Sequence, residues 1–86
     1  MNSNQKKLYS IYARLFEEFK SSDQKCWLEI VKSETQLSIN FVHFHKSYES
    51  NNKWLAIYEH NPESFERLKN HIVEVMRGKT LIKKGL

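Results

Sequence analysis

One cysteine and two histidines have the residue types and spacing that could carry chemistry. His43 and His45 are two residues apart, so in a strand both imidazoles project to the same side, and Cys26 could add a thiolate for zinc. The same cysteine beside His43 also looks like a nucleophile with its general base. The sequence pattern indicates no carboxylate or amide that would orient that imidazole, and a strand cysteine usually packs as a small apolar side chain. We therefore predict neither a metal site nor a catalytic site here.

Other common site types are excluded by composition. The two glycines, Gly78 and Gly85, lie near the C-terminus, so no glycine-rich loop can surround a phosphate. A single cysteine forms no intrachain disulfide, which agrees with a reducing compartment. Paired glutamates fall on helix faces that we expect to be solvated. The sequence therefore predicts a protein that is not an enzyme and needs no cofactor.

Two amphipathic helices are predicted, one near each end of the chain. Apolar residues recur at steps of three and four through the first twenty residues, which predicts a helix over residues 3–21. Asn61 followed by Pro62 is a typical helix start, and Gly78 is the expected left-handed terminator. The second helix should therefore end at Arg77.

Between the helices the apolar period changes to two, which predicts three strands over residues 25–32, 37–45 and 53–59. The fold class is thus α+β: helix, three-stranded antiparallel meander, helix (αβββα). Residues 1–78 form a single domain, and residues 79–86 form a basic C-terminal tail that is either frayed or a short edge strand.

The order of these elements is similar to that of the double-stranded RNA-binding domain. That family carries lysines at the start of its second helix to grip phosphates, whereas this chain has Pro62, Glu63 and Glu66 there. The similarity is one of element order alone, and we transfer no residue from it.

Strand pairing predicts which side chains share a face of the sheet. A two-residue hairpin loop at Glu34–Thr35 sets Leu28 opposite Phe41, and we expect His45 to pair with Lys53 across the second loop. One face is then apolar enough to hold the helices. The other face carries both tryptophans with further apolar side chains: Trp27, Val31, Val42, Phe44, Trp54, Ala56 and Tyr58.

Two arrangements of the helices are compatible with this pattern. If one helix covers each face, the tryptophans belong to the core. If both helices pack side by side on one face, the aromatic face is an uncovered apolar patch of the kind that marks an interface. The residues predicted to bind a partner are then Trp27, Val42, Phe44, Trp54 and Tyr58.

The net charge of +4 is unevenly distributed. Residues 1–16 carry three basic and no acidic residues, residues 77–86 carry four and none, and the middle carries seven against ten. Basic ends can bind phosphate backbones, although they can equally serve to keep the chain in solution. The side chains predicted as phosphate contacts are Lys25, Lys46, Lys53, Arg77, Lys79, Lys83 and Lys84.

Composition also suggests origin and compartment. Lysine and asparagine are frequent while alanine, glycine and proline are scarce, which indicates an AT-rich gene of a low-GC bacterium, phage or plasmid. The longest apolar run, Trp54–Tyr58, is too short to cross a bilayer, and no apolar signal core follows the first residues. We expect a protein of the bacterial or host cytosol with no membrane partner.

These observations predict a non-catalytic binding module that engages a protein partner, its own copy as a homodimer, or both, through the aromatic face. An inhibitor or accessory protein of a mobile genetic element is one concrete form. The alternative is a nucleic-acid-binding protein that uses the same face together with the basic termini.

Overall fold

A computed structural model describes all 86 residues, and its elements follow the predicted order. The three strands form one open antiparallel sheet in the order β1-β2-β3. The α+β prediction is confirmed. The elements are α1 (Ser3–Ser21), β1 (Cys26–Lys32), β2 (Leu37–Phe44), β3 (Asn52–Tyr58), a 3-10 turn (Pro62–Ser64) and α2 (Phe65–Met76).

Local hydrogen bonds explain where α1 begins and α2 ends. Asn2 caps α1, because its Oδ1 accepts from the Gln5 backbone N–H at 2.8 Å. After α2, Gly78 takes φ 73°, and the next N–H, of Lys79, bonds back to the Glu74 carbonyl at 3.0 Å. Glycine enters this left-handed region without strain because it has no Cβ, so the predicted stop is confirmed.

The start of the second helix differs from the prediction. The Asn61 side chain accepts no capping hydrogen bond, and Pro62–Ser64 form a 3-10 turn before the α-helix begins at Phe65. The Ser64 hydroxyl instead donates to the Asn61 carbonyl at 2.8 Å, which closes this tighter turn.

The first predicted register is confirmed and the second is wrong by two residues. Leu28 pairs with Phe41 as expected, but Lys53 pairs with His43 rather than with His45. The second loop is shorter than predicted because Asn51 adopts φ 64° and accepts the His45 N–H at 3.0 Å. A shift of two leaves every side chain on its predicted face.

Both helices pack on one face of the sheet, side by side. The buried cluster joins Leu8 and Leu15 of α1 and Ile72 of α2 to Phe41 and Ile57 of the sheet. The opposite face has no helix over it, so the arrangement with one helix on each face is wrong. Two helices about 10 Å wide already span three strands about 4.8 Å apart, which leaves the second face open.

Phe16 belongs to the apolar stripe of α1 by its spacing but is 43% exposed. It stacks between Tyr12 and Phe19, with ring centroids 6.4 Å apart on each side. The stripe of α1 is therefore wider than the surface that the sheet and α2 can cover, and its outer margin faces solvent.

The C-terminal tail is neither frayed nor a strand. Ile82 is only 5% exposed and belongs to the core cluster. Its N–H donates to the Tyr48 hydroxyl at 2.7 Å, and the N–H of Lys83 donates to His71 Nε2 at 3.2 Å. The predicted tail thus packs as part of the folded domain.

Glu59, directly after β3, ties α1 to the sheet. Its carboxylate accepts from the Asn2 side chain at 2.9 Å and from the Leu37 N–H at 2.7 Å. These hydrogen bonds favour the ionised form and hold the pKa of Glu59 below its usual value. The carboxylate thereby satisfies a buried backbone donor that no strand pairs.

Candidate functional site

The histidine and cysteine cluster is occupied by structural hydrogen bonds. His43 is 1% exposed, and its Nε2 lies 3.0 Å from the Gln24 Oε1 atom. A carbonyl oxygen can only accept, so Nε2 carries the proton and Nδ1 accepts the Tyr48 O–H at 2.8 Å. Burial, and secondly the charge of His45, lower the pKa of His43. Neither ring nitrogen is free to bind a metal or to deprotonate a thiol.

Cys26 does lie opposite His43 across the β1–β2 pair, as predicted. Burial raises the pKa of its thiol, so the nucleophilic thiolate is disfavoured. The His45 Nδ1 accepts the Ser47 N–H at 3.0 Å, and this hydrogen bond holds the ring against the loop after β2. No three His, Cys, Asp or Glu side chains converge as a metal site.

The aromatic face is the candidate functional surface, defined by Trp27, Val42, Phe44, Trp54 and Tyr58. Trp27 and Trp54 are 56% and 59% exposed, and the other three are half-buried. Val42 pairs with Trp27 on one side and with Trp54 on the other. These three side chains therefore form one row across the whole sheet, with neighbours about 5 Å apart.

Charged groups flank Trp27 in and directly before β1. The Glu29 carboxylate accepts the Trp27 indole N–H at 2.9 Å and the Asn40 side-chain N–H at 3.1 Å. On the other side of the row, the Lys25 ammonium lies 5.9 Å from the centre of the Phe44 ring. The row itself is thus apolar, with a negative group on one side of Trp27 and a positive group on the other.

The other predicted phosphate contacts are not gathered on the aromatic face. Lys53 pairs with the buried His43, so it lies on the helix-bearing side. Lys84 lines the same cleft as Lys53, and Lys79 lines a cleft beside His43 and His45. Lys46 and Lys83 are exposed near the second loop and in the tail.

Arg77 is held in an ion pair between the helices. Its guanidinium donates to the Glu18 carboxylate, which also receives a hydrogen bond from Arg14 at 3.0 Å. The Arg77 hydrogen bond, followed by that of Arg14, keeps the pKa of Glu18 below its usual value. Of the seven predicted phosphate contacts, Lys25 alone belongs to the aromatic face.

Several residues important to the geometry were not identified from the sequence. Glu29 is not among the predicted site residues, although its two-residue spacing from Trp27 places both on one face. Tyr48, Gln24 and His71 carried no signal, because their partners are distant in the chain or belong to the tail. A loop tyrosine is recognised as a buried hydrogen-bonding group only when the fold brings the tail to it.

Comparison with protein-family models, with curated proteins and with solved structures yields no match. None of the helices combines the length and the apolar character that a membrane crossing requires.

Proposed function

We propose that this protein is a small, non-catalytic binding module that engages a protein through the aromatic face. The observation that supports this is the pair of exposed tryptophans in one row on a sheet face that neither helix covers. Contiguous exposed apolar patches mark interaction surfaces in soluble proteins, and tryptophan is among the residues that dominate interface energies.

A protein partner fits this face better than a nucleic acid does. Of the side chains predicted to contact phosphates, only Lys25 lies on the aromatic face. The Glu29 carboxylate beside Trp27 would repel a phosphate backbone. Carboxylates and indoles side by side are ordinary at protein interfaces. In cellular terms we propose an inhibitor or accessory protein of a phage or plasmid, acting in the cytosol.

The test uses the whole chain as bait against a lysate of a low-GC bacterial host, with and without nuclease. Trp27→Ala should lose the specific partner, and titration of that purified partner should show at least roughly tenfold weaker binding. Phe16→Ala is the matched control, because it removes an exposed aromatic ring from the helix layer. Equal recovery by wild type and Trp27→Ala would contradict the proposal.

The nucleic-acid alternative makes a different prediction for the tail. If the basic termini hold phosphates, Lys83→Glu with Lys84→Glu should weaken binding to any sequence and flatten its salt dependence. Under the proposed function the same double variant captures the protein partner as well as wild type does. Gel shifts at low salt with single- and double-stranded probes, followed by the capture assay, separate the two.

A further inference from the structure

We infer that the occupant of the aromatic face is a second copy of this chain, packed face to face about a twofold axis along the Trp27–Val42–Trp54 row. The inference rests on the proposed function and names the partner. In such a pair the row of one copy lies on the same row of the other, and the strands remain roughly aligned, as in packed sheets.

The two charges that flank Trp27 are arranged symmetrically for this rotation. Lys25 and Glu29 lie two residues on either side of Trp27, on the same face, so each is about 7 Å from it along the strand. A twofold rotation about the row carries Lys25 onto the partner's Glu29, and the reverse contact follows by symmetry. Two identical ion pairs then flank the central tryptophans.

The other twofold arrangement of aligned sheets is disfavoured by the same residues. An axis parallel to the strands would set β1 of one copy over β3 of the other. Glu29 pairs with Asn40, which pairs with Ala56, so Glu29 would then face the partner's Ala56. A carboxylate buried against a methyl group has no compensating charge, which is costly. Charge complementarity therefore selects the axis along the row.

The orientation of the Trp27 ring also suits this axis. Its indole N–H donates to Glu29 at 2.9 Å, so the ring leans toward Glu29 and away from Lys25. The rotation makes the partner's Trp27 lean in the opposite direction, so the two rings lie beside each other instead of colliding. Each ring then also approaches a lysine of the other copy, where a cation–π contact is favourable.

The area of the face sets the expected strength. Strand spacings of about 4.8 Å and a rise of about 3.4 Å per residue make the face roughly 14 by 24 Å. Because the axis lies near the Lys25 end of the face, only the rows from Lys25 to Glu29 overlap, over about 17 Å, and pairing buries on the order of 500 to 700 Å². That area is below the range of about 1,200 to 2,000 Å² for stable complexes. The self-association is therefore weak and depends on protein concentration.

The test is a charge swap followed by sedimentation over a range of protein concentrations. Wild type should shift from monomer to dimer. Lys25→Glu sets two carboxylates against each other and Glu29→Lys sets two ammonium groups together, so each variant alone should self-associate at least about tenfold more weakly. An equimolar mixture of the two variants restores opposite charges at both contacts and should form a heterodimer. The double swap in one chain should dimerise again.

Circular dichroism tests whether each variant is folded, and we expect both to fold because neither position is in the core. A wild type that remains monomeric up to roughly 1 mM overturns the second copy as occupant. The proposed function survives that result if Trp27→Ala still loses a captured partner. A wild-type dimer that the single variants do not weaken, or that the mixture does not restore, overturns the axis.

Discussion

Replacing Trp54 with alanine is expected to weaken association through the aromatic face by about 2 kcal/mol or more, roughly 30-fold, with little loss of folding stability. The ring is 59% exposed in the free chain, so truncation opens no cavity in the core. Tryptophan is among the residues that dominate interface energies, so truncating this ring removes a large apolar contact with the partner. Sedimentation or calorimetry gives the affinity, and urea unfolding gives the stability.

The matched control lies on the same sheet but on the opposite face. Phe41 is fully buried beneath the helices, so Phe41→Ala should cost about 3 to 5 kcal/mol of unfolding free energy. If Trp54→Ala destabilised the monomer to a similar extent and left association unchanged, the aromatic ring would be a core residue and the interface proposal would fail.

Acidification from pH 7.5 to 5.5 is expected to destabilise the fold through two buried histidines. Burial lowers the pKa of both His43 and His71, and Lys83 lowers that of His71 further while Glu74 opposes the shift. Between the native pKa and the ordinary value of 6.5, the unfolded chain binds more protons than the native one. Stability is therefore complete above about pH 6.5 and falls below it, by up to about 1.4 kcal/mol per pH unit for each histidine.

Geometry gives the same direction for His71. Its Nε2 accepts the Lys83 N–H, and a protonated imidazole cannot accept, so acid breaks a hydrogen bond that holds the tail. His71→Gln keeps an acceptor but does not titrate, and should flatten the pH dependence. The control is His60→Gln, which removes an exposed imidazole whose hydrogen-bond partner is the Thr35 carbonyl. Urea unfolding is measured above pH 5, where protonation of the carboxylates does not interfere. Equal unfolding free energies at pH 7.5 and 5.5 would contradict the prediction.

Much of the fold was predictable because the decisive interactions are local. The Asn2 cap, the Gly78 terminator and the Glu34–Thr35 hairpin each depend on residues within about five positions of one another. The second register was missed because it depends on the left-handed conformation of Asn51, which any of several loop residues could have adopted. Alternation survived that error, because a shift of two preserves the face of each side chain.

The candidate site was predictable only in part. Alternation placed Trp27 and Trp54 on one face together, and the structure agrees. Of the predicted phosphate contacts, Lys53 lies on the buried side of the sheet and Arg77 is paired with Glu18. The parity of Lys53 was visible in the sequence, whereas the ion pair joins residues 59 positions apart in two helices.

The sequence by itself determined the helices, the strands and the division of the sheet into two faces, since hydrophobic periods of 3.6 and 2.0 residues specify these through short-range geometry. Tertiary structure alone decided that both helices cover the same face, that the tail packs through Ile82, and that His43 is locked between Gln24 and Tyr48. Periodicity shows which side of an element is apolar but not which other element covers it. That choice depends on how the widths of helices and strands match, on loop lengths and on contacts between residues distant in sequence. Here it leaves the two tryptophans facing solvent.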